Sequence, residues 1–115
     1  MDKDDIIKIF VSQPMQFKSE EEILKEAAEA REKAKEIILG RPPIGACPRF
    51  ATYTAIRPGA GELQPMRSLS SSIQLMGQAD FIVFAKDWME DRNCRIERRI
   101  AREYRLKVID LDVEG

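Results

Sequence analysis

Histidine is absent from this chain of 115 residues, and cysteine occurs only twice, at Cys47 and Cys94. Without histidine there is no serine–histidine or cysteine–histidine nucleophile, and a zinc site loses its commonest nitrogen ligand. Two isolated cysteines make neither a disulfide framework nor a metal motif, and free thiols are expected. No apolar run approaches the roughly 20 residues of a membrane span. The opening "MDKDDIIKIF" is acidic rather than cationic, and its apolar run is too short for a secretory signal, so a cytoplasmic protein is expected. A net charge of −1 gives no global attraction to nucleic acid or an anionic membrane. Any catalysis must therefore rest on carboxylates, hydroxyls, Lys or Arg, Tyr or backbone amides.

What is present is a chain with 43% hydrophobic and 34% charged residues, enough for one domain spanning 1–115 and too short for a second. "IIKIFVS", Ile6–Ser12, is a β-rich run that stops before Pro14. Ser19 and Glu22 then form an S-x-x-E capping box, opening a helix with Ile23, Ala27, Ala30, Ala34 and Ile37 at helical spacing. Gly40 and Pro42 end it. Residues 40–66 hold five of the six prolines and four of the six glycines, and read as loop with a short strand over 51–56. In "MRSLSSSIQLMGQA", Met66, Leu69, Ile73 and Met76 share one helical face, leaving Ser68, Ser70, Ser71 and Ser72 as the polar one. "DFIVFA" (80–85) reads as a strand buried on both sides, and "KVIDL" (107–111) as another. Between them the spacing predicts a helix over 94–104 with Ile96, Ile100 and Tyr104 as its apolar stripe.

Strands alternating with helices imply right-handed crossovers and a mostly parallel sheet covered on both faces. Ligands of such sheets bind beyond the carboxyl ends of the strands, at the topological switch point. Two loops fall there, "SQPMQFK" and "KDWMEDRN". Ser12 and Gln13 suit either ligand contact or closure of the turn, and Trp88 either stacks on a ring or covers the sheet edge. Arg92 and the adjacent helix amides suit a phosphate. Cys94 beside the helix start is a candidate for a dipole-lowered thiol pKa. Glu97, placed in the first turn, is expected to be held ionised by the helix dipole. Asp91, six residues earlier, completes a carboxylate pair of the kind that serves glycosidic chemistry. The ordinary reading of a first-turn glutamate, compensation of the dipole at the surface, stays open beside it.

Taken together, "IIKIFVSQPM", the "SEEEI" helix start and "ADFIVFAKDWMEDRNCRIERRIAREYRLKVIDL" resemble the nucleoside 2-deoxyribosyltransferase-like superfamily. The nearest likeness is to small phage and bacterial proteins with a W-x-x-x-R-x-C-R-x-E pattern, met here by Trp88, Arg92, Cys94, Arg95 and Glu97. The resemblance covers 6–39 and 66–111, with 40–65 as a divergent Pro/Gly-rich loop. It implies an α/β flavodoxin- or Rossmann-like three-layer sandwich, with a small, mostly parallel sheet of about four strands. It also implies Glu97 as nucleophile on an anomeric carbon and Asp91 near the sugar hydroxyls. Two departures stand out. Phe10 occupies the position of a nucleophile-orienting tyrosine, and Ser71 or Ser72 stands where a carboxylate handles the proton of the base.

The expected function is N-glycosidic hydrolysis or transfer on a nucleoside or nucleoside monophosphate. Ser12, Gln13, Pro14 and Met15 would form one wall and Trp88 another, with Ser71, Ser72 and Arg92 as further contacts. No metal or organic cofactor is needed. The alternative is a non-catalytic nucleotide or nucleotide-derivative binding protein that keeps the cleft. The resemblance also implies a homo-oligomer, and no nucleic-acid or membrane partner is expected.

Overall fold

A computed structural model of the chain describes residues 6–15, 17–55 and 64–111, with the side chains of Gln64 and Pro65 left out. Four strands, β1 (Ile6–Ser12), β2 (Arg49–Thr54), β3 (Phe81–Phe84) and β4 (Val108–Asp110), form one sheet in the order β2-β1-β3-β4, every pair parallel. Between them run α1 (Glu20–Leu39), α2 (Gln64–Met76) and α3 (Arg92–Glu103), with a single 3₁₀ turn at Trp88–Glu90. The architecture is the expected small three-layer α/β sandwich. β1 has the expected bounds, those of the other three strands differ by one or two residues, and Ile56 lies outside the described residues.

Alternation along the strands builds both layers. Ile9 and Val11 face α1, packing with Ala30, Ala34, Val83 and Ile109. Phe10 points the other way, toward α2 and α3, with Met76, Ile82, Phe84 and Ala101. Burying one such side chain contributes about 1.5–3 kcal/mol, so a one-residue slip that exchanged the faces would be very costly. Asp80 sets the register: its amide donates to Lys8 O (2.7 Å), and its carboxylate accepts from Lys8 N (2.8 Å). Ser12 is thereby placed opposite Phe84, and Phe84 opposite Asp110.

The α1 start is as anticipated, with both hydrogen bonds of the Ser19–Glu22 box present and Gly40 closing the helix at φ 70°. Its buried residues are Ile23, Ala30 and Ala34, while Ile37 is exposed and Ile38 packs in its place. After it, the guanidinium of Arg41 gathers the carbonyls of Pro42, Ile44 and Ala46, giving the first part of the Pro-rich loop its shape.

The other two helices correct the expected faces in part: Met76 and Ile100 pack against the core as expected, and the rest of each stripe does not. On α2 the buried residues are Ser68, Ser72 and Met76, one helical turn apart, while Met66 and Ile73 are exposed. On α3 they are Cys94, Glu97 and Ala101, while Ile96 and Tyr104 are exposed. Both helices turn polar side chains inward at the same place. No described helix is long and apolar enough to cross a membrane.

Candidate functional site

The strand order reverses between β1 and β3, so their carboxyl ends form the switch point. Ser12 is the last residue of β1, and the amide of Ala85, just past β3, donates to its carbonyl (2.9 Å). The loops that follow the two strands therefore start side by side.

Over this edge sits α3. It begins at Arg92, two residues earlier than the sequence suggests, because Asp91 is the N-cap and accepts from the amide of Cys94 (3.0 Å). Glu97 consequently lies in the second turn, beyond direct reach of the end-of-helix amides that were expected to hold it ionised. It is 2% exposed, among the largest fully buried side chains of the protein. The Ser12 hydroxyl donates to Glu97 Oε1 at 2.6 Å, across 85 positions of sequence. The Ser72 hydroxyl lies against the same carboxyl, and its single proton goes either to that carboxyl or to Ser68 O (3.1 Å).

The electrostatics correct the expectation that Glu97 is deprotonated at neutral pH. Burial raises its pKa from the ordinary 4.5 to about 7, and the negative charge of Asp91 adds to the rise. The hydroxyls of Ser12 and Ser72 pull the other way without offsetting it. Cys94 is corrected in the same sense. Burial pushes its thiol well above the usual range, with Asp91 and Glu97 adding to the effect, so the dipole-activated thiol is not found.

The residue after Glu97 secures this geometry. Arg98 makes a two-pronged ion pair with Asp110 at the end of β4, with Nη2 to Oδ2 at 2.9 Å. Its guanidinium lies 4.9 Å from the Phe84 ring centroid and 5.2 Å from that of Trp88. Consecutive residues of α3 thus reach opposite neighbours of β3, Glu97 to β1 and Arg98 to β4, and the helix cannot roll without breaking one contact. Periodicity gave no sign of the Arg98–Asp110 pair, because the partner strand lies twelve residues on.

The remaining expected residues divide. Gln13, Pro14 and Met15 are buried behind Ser12. Gln13 Nε2 donates to Ile23 O of α1 (3.0 Å), tying the loop to that helix, while its Oε1 is buried without a hydrogen-bond partner. Trp88 is half-buried against Phe84, ring centroids 5.4 Å apart, so its packing role is the one observed. Ser71 is half-buried, and it is Ser68 that shares the inward face with Ser72. Arg92 is exposed at the first turn of α3. Phe10, at the position of the orienting tyrosine, is wholly in the core. The hydroxyl that meets Glu97 from β1 comes instead from Ser12, two residues on and on the same face of the strand. A groove of about 510 Å³, lined by Lys33, Glu36, Ile37, Arg41 and Asp110 among others, meets this arrangement only at Asp110, the partner of Arg98.

No family model matches this chain, and neither a curated protein nor a solved structure does.

Proposed function

We propose that this protein cleaves the N-glycosidic bond of a nucleoside or nucleoside 5′-monophosphate, with Glu97 as the nucleophile. The observation that carries the reading is the Ser12–Glu97 hydrogen bond at the β1/β3 switch point. Strongly perturbed carboxyls of this kind cluster at functional sites, and with its pKa raised to about 7 Glu97 is the carboxylate that the attack needs in only part of the molecules at neutral pH. In the proposed reaction, Oε2 attacks the anomeric carbon. The carbon–nitrogen bond breaks, its electron pair leaves with the base, and the base takes up a proton from solvent water. Water then cleaves the glycosyl ester, and in a transfer reaction a second base does so. Asp91, already anchored as the N-cap, would face the sugar hydroxyls, and Arg92 would meet a 5′-phosphate where the amides of α3 converge. Glu97 is 2% exposed, so the residues packed around it must part for substrate to reach it.

That same enclosure favours one other reading, a nucleotide-binding protein without turnover. Incubating the wild type and Glu97→Gln with ribo- and deoxyribonucleosides and their 5′-monophosphates, and following free base by chromatography, separates the two. Base release by the wild type alone supports the glycosidase. Thermal stabilisation by a nucleotide with no base released supports binding only, and release undiminished in Glu97→Gln removes the nucleophile assignment.

A further inference from the structure

Five arginines lie on α3, yet none of them is paired with Glu97. Arg98 is bound to Asp110, Nη1 of Arg95 donates to Met89 O (2.9 Å), and Arg99 is bridged to Glu103 (3.9 Å). Arg92 and Arg102 are exposed. The groups that act on the Glu97 carboxyl are instead the hydroxyls of Ser12 and Ser72 and the negative charge of Asp91. Buried carboxylates are ordinarily paired with a cation. Among the described residues this one has no positive partner, and a like charge stands beside it. The same neighbourhood is short of acids. Hydroxyls are poor proton donors to a leaving group near neutral pH. Asp91 is charged, and its Oδ2 already accepts from the amide of Cys94 (3.0 Å). The buried Cys94 thiol, its pKa pushed well up, keeps its proton. Nor can Glu97 attack as a carboxylate and donate a proton in the same step. General-acid help to a leaving group is worth about 10²–10⁴-fold, so a neutral base would leave this site slowly.

We propose that the substrate is an N-glycoside whose base already carries a positive charge on its ring, a pyridinium or N7-alkylated purine nucleoside or its 5′-monophosphate. The cleavage step rests on the glycosidic reading of this site; the charge of the ligand does not. One positive charge meets both shortages. Beside Glu97 it provides the missing counter-charge and favours the carboxylate over the acid, so that binding itself prepares the nucleophile. When the carbon–nitrogen bond breaks, its electron pair passes to the base, cancels the positive charge and lets the base depart as a neutral molecule. The proton that a neutral base must draw from water is not needed. Water then hydrolyses the glycosyl ester, which returns the Glu97 carboxylate, leaves a hydroxyl on the sugar and releases one proton to solvent.

Guanosine, N7-methylguanosine and the N-riboside of nicotinamide, each also as its 5′-monophosphate, are incubated with the wild type and with Glu97→Gln, and free base is followed by chromatography. The two purines differ by one methyl group and one positive charge, so that pair isolates the charge. For the cationic compounds kcat/KM is expected to exceed that for guanosine by at least about 100-fold and to be lost in Glu97→Gln. A smaller ratio overturns this proposal and leaves the glycosidic reading standing. Release undiminished in Glu97→Gln overturns both. Where no base is released from any compound, titration calorimetry decides. N7-methylguanosine bound at least about tenfold more tightly than guanosine ends the glycosidic reading and keeps the cationic ligand, and no such preference overturns both.

Discussion

Replacing Glu97 with glutamine should make the protein more stable at alkaline pH and leave its stability unchanged in acid. In the folded chain, burial lifts the Glu97 pKa to about 7 from an ordinary 4.5. A carboxyl whose folded pKa is raised binds its proton more tightly in the native state, so the stabilisation tied to that proton is complete below pH 4.5. It is lost as pH rises from 4.5 through 7, because the unfolded chain then releases a proton that the folded chain retains. At 1.36 kcal/mol for each tenfold change in proton affinity, the loss amounts to on the order of 3 kcal/mol above pH 7. Glutamine copies the protonated state without titrating. Its carbonyl still accepts from Ser12, and its amide lies against Ser72, whose hydroxyl can accept while donating to Ser68 O. The variant should therefore match the wild type near pH 4 and exceed it by on the order of 3 kcal/mol at pH 8.5, a large share of a small domain's stability. Urea denaturation of both proteins across pH 4–9 reads this directly as a gap that opens between pH 4.5 and 7 and then stays constant. A gap independent of pH would refute the reasoning, since it would place the effect of the substitution in packing and not in the titration of Glu97. If the proposed chemistry also holds, the stabilised variant is the inactive one, a trade expected where a site holds a group in an unfavourable state.

Ser12→Ala removes the hydroxyl that holds the Glu97 pKa down, so the fall in stability that begins at pH 4.5 should continue to higher pH, and any base-releasing activity should shift its pH profile upward. Loss of this buried hydrogen bond should also lower stability by about 1–3 kcal/mol above pH 7, measured by the same denaturation series. Titration with a thiol reagent should find one fast cysteine, the exposed Cys47, and a second, the buried Cys94, that reacts only on unfolding. Two fast thiols in the native protein would contradict the packing of α3.

Several features of the fold were legible in the residues alone. A β-rich run ending at a proline gave β1. A capping box and a following Gly-x-Pro bracketed α1, and an unbroken apolar run marked the buried central strand β3. These signals are local: each depends on backbone chemistry or on periodicity within one element, so no knowledge of neighbours is needed. The alternation of such elements is enough to imply a parallel sheet covered on both sides, which is the sheet observed. The position of Glu97 at the carboxyl edge was legible too, because an α/β topology puts the loop after the central strand there.

Which way α2 and α3 face was decided only by the tertiary structure. Amphipathic reading turns apolar residues inward, and by that rule Met66, Ile73, Ile96 and Tyr104 belong in the core and Ser68, Ser72 and Glu97 in water. The fold reverses this, and of the two stripes only Met76 and Ile100 pack against the core. Ser12 comes to the switch point on β1, 85 residues from Glu97, and supplies a buried hydrogen bond that neither helix can offer itself. Arg98 and Asp110 fix the roll of α3 in the same sense. The state of Glu97 follows from that roll. A helix dipole acting on an exposed first-turn carboxylate would have kept it ionised, whereas a second-turn carboxyl removed from water holds its proton up to about pH 7. The residue type and its neighbourhood could be read from the sequence. Its burial, and therefore its protonation, depended on partners that only the folded chain brings together.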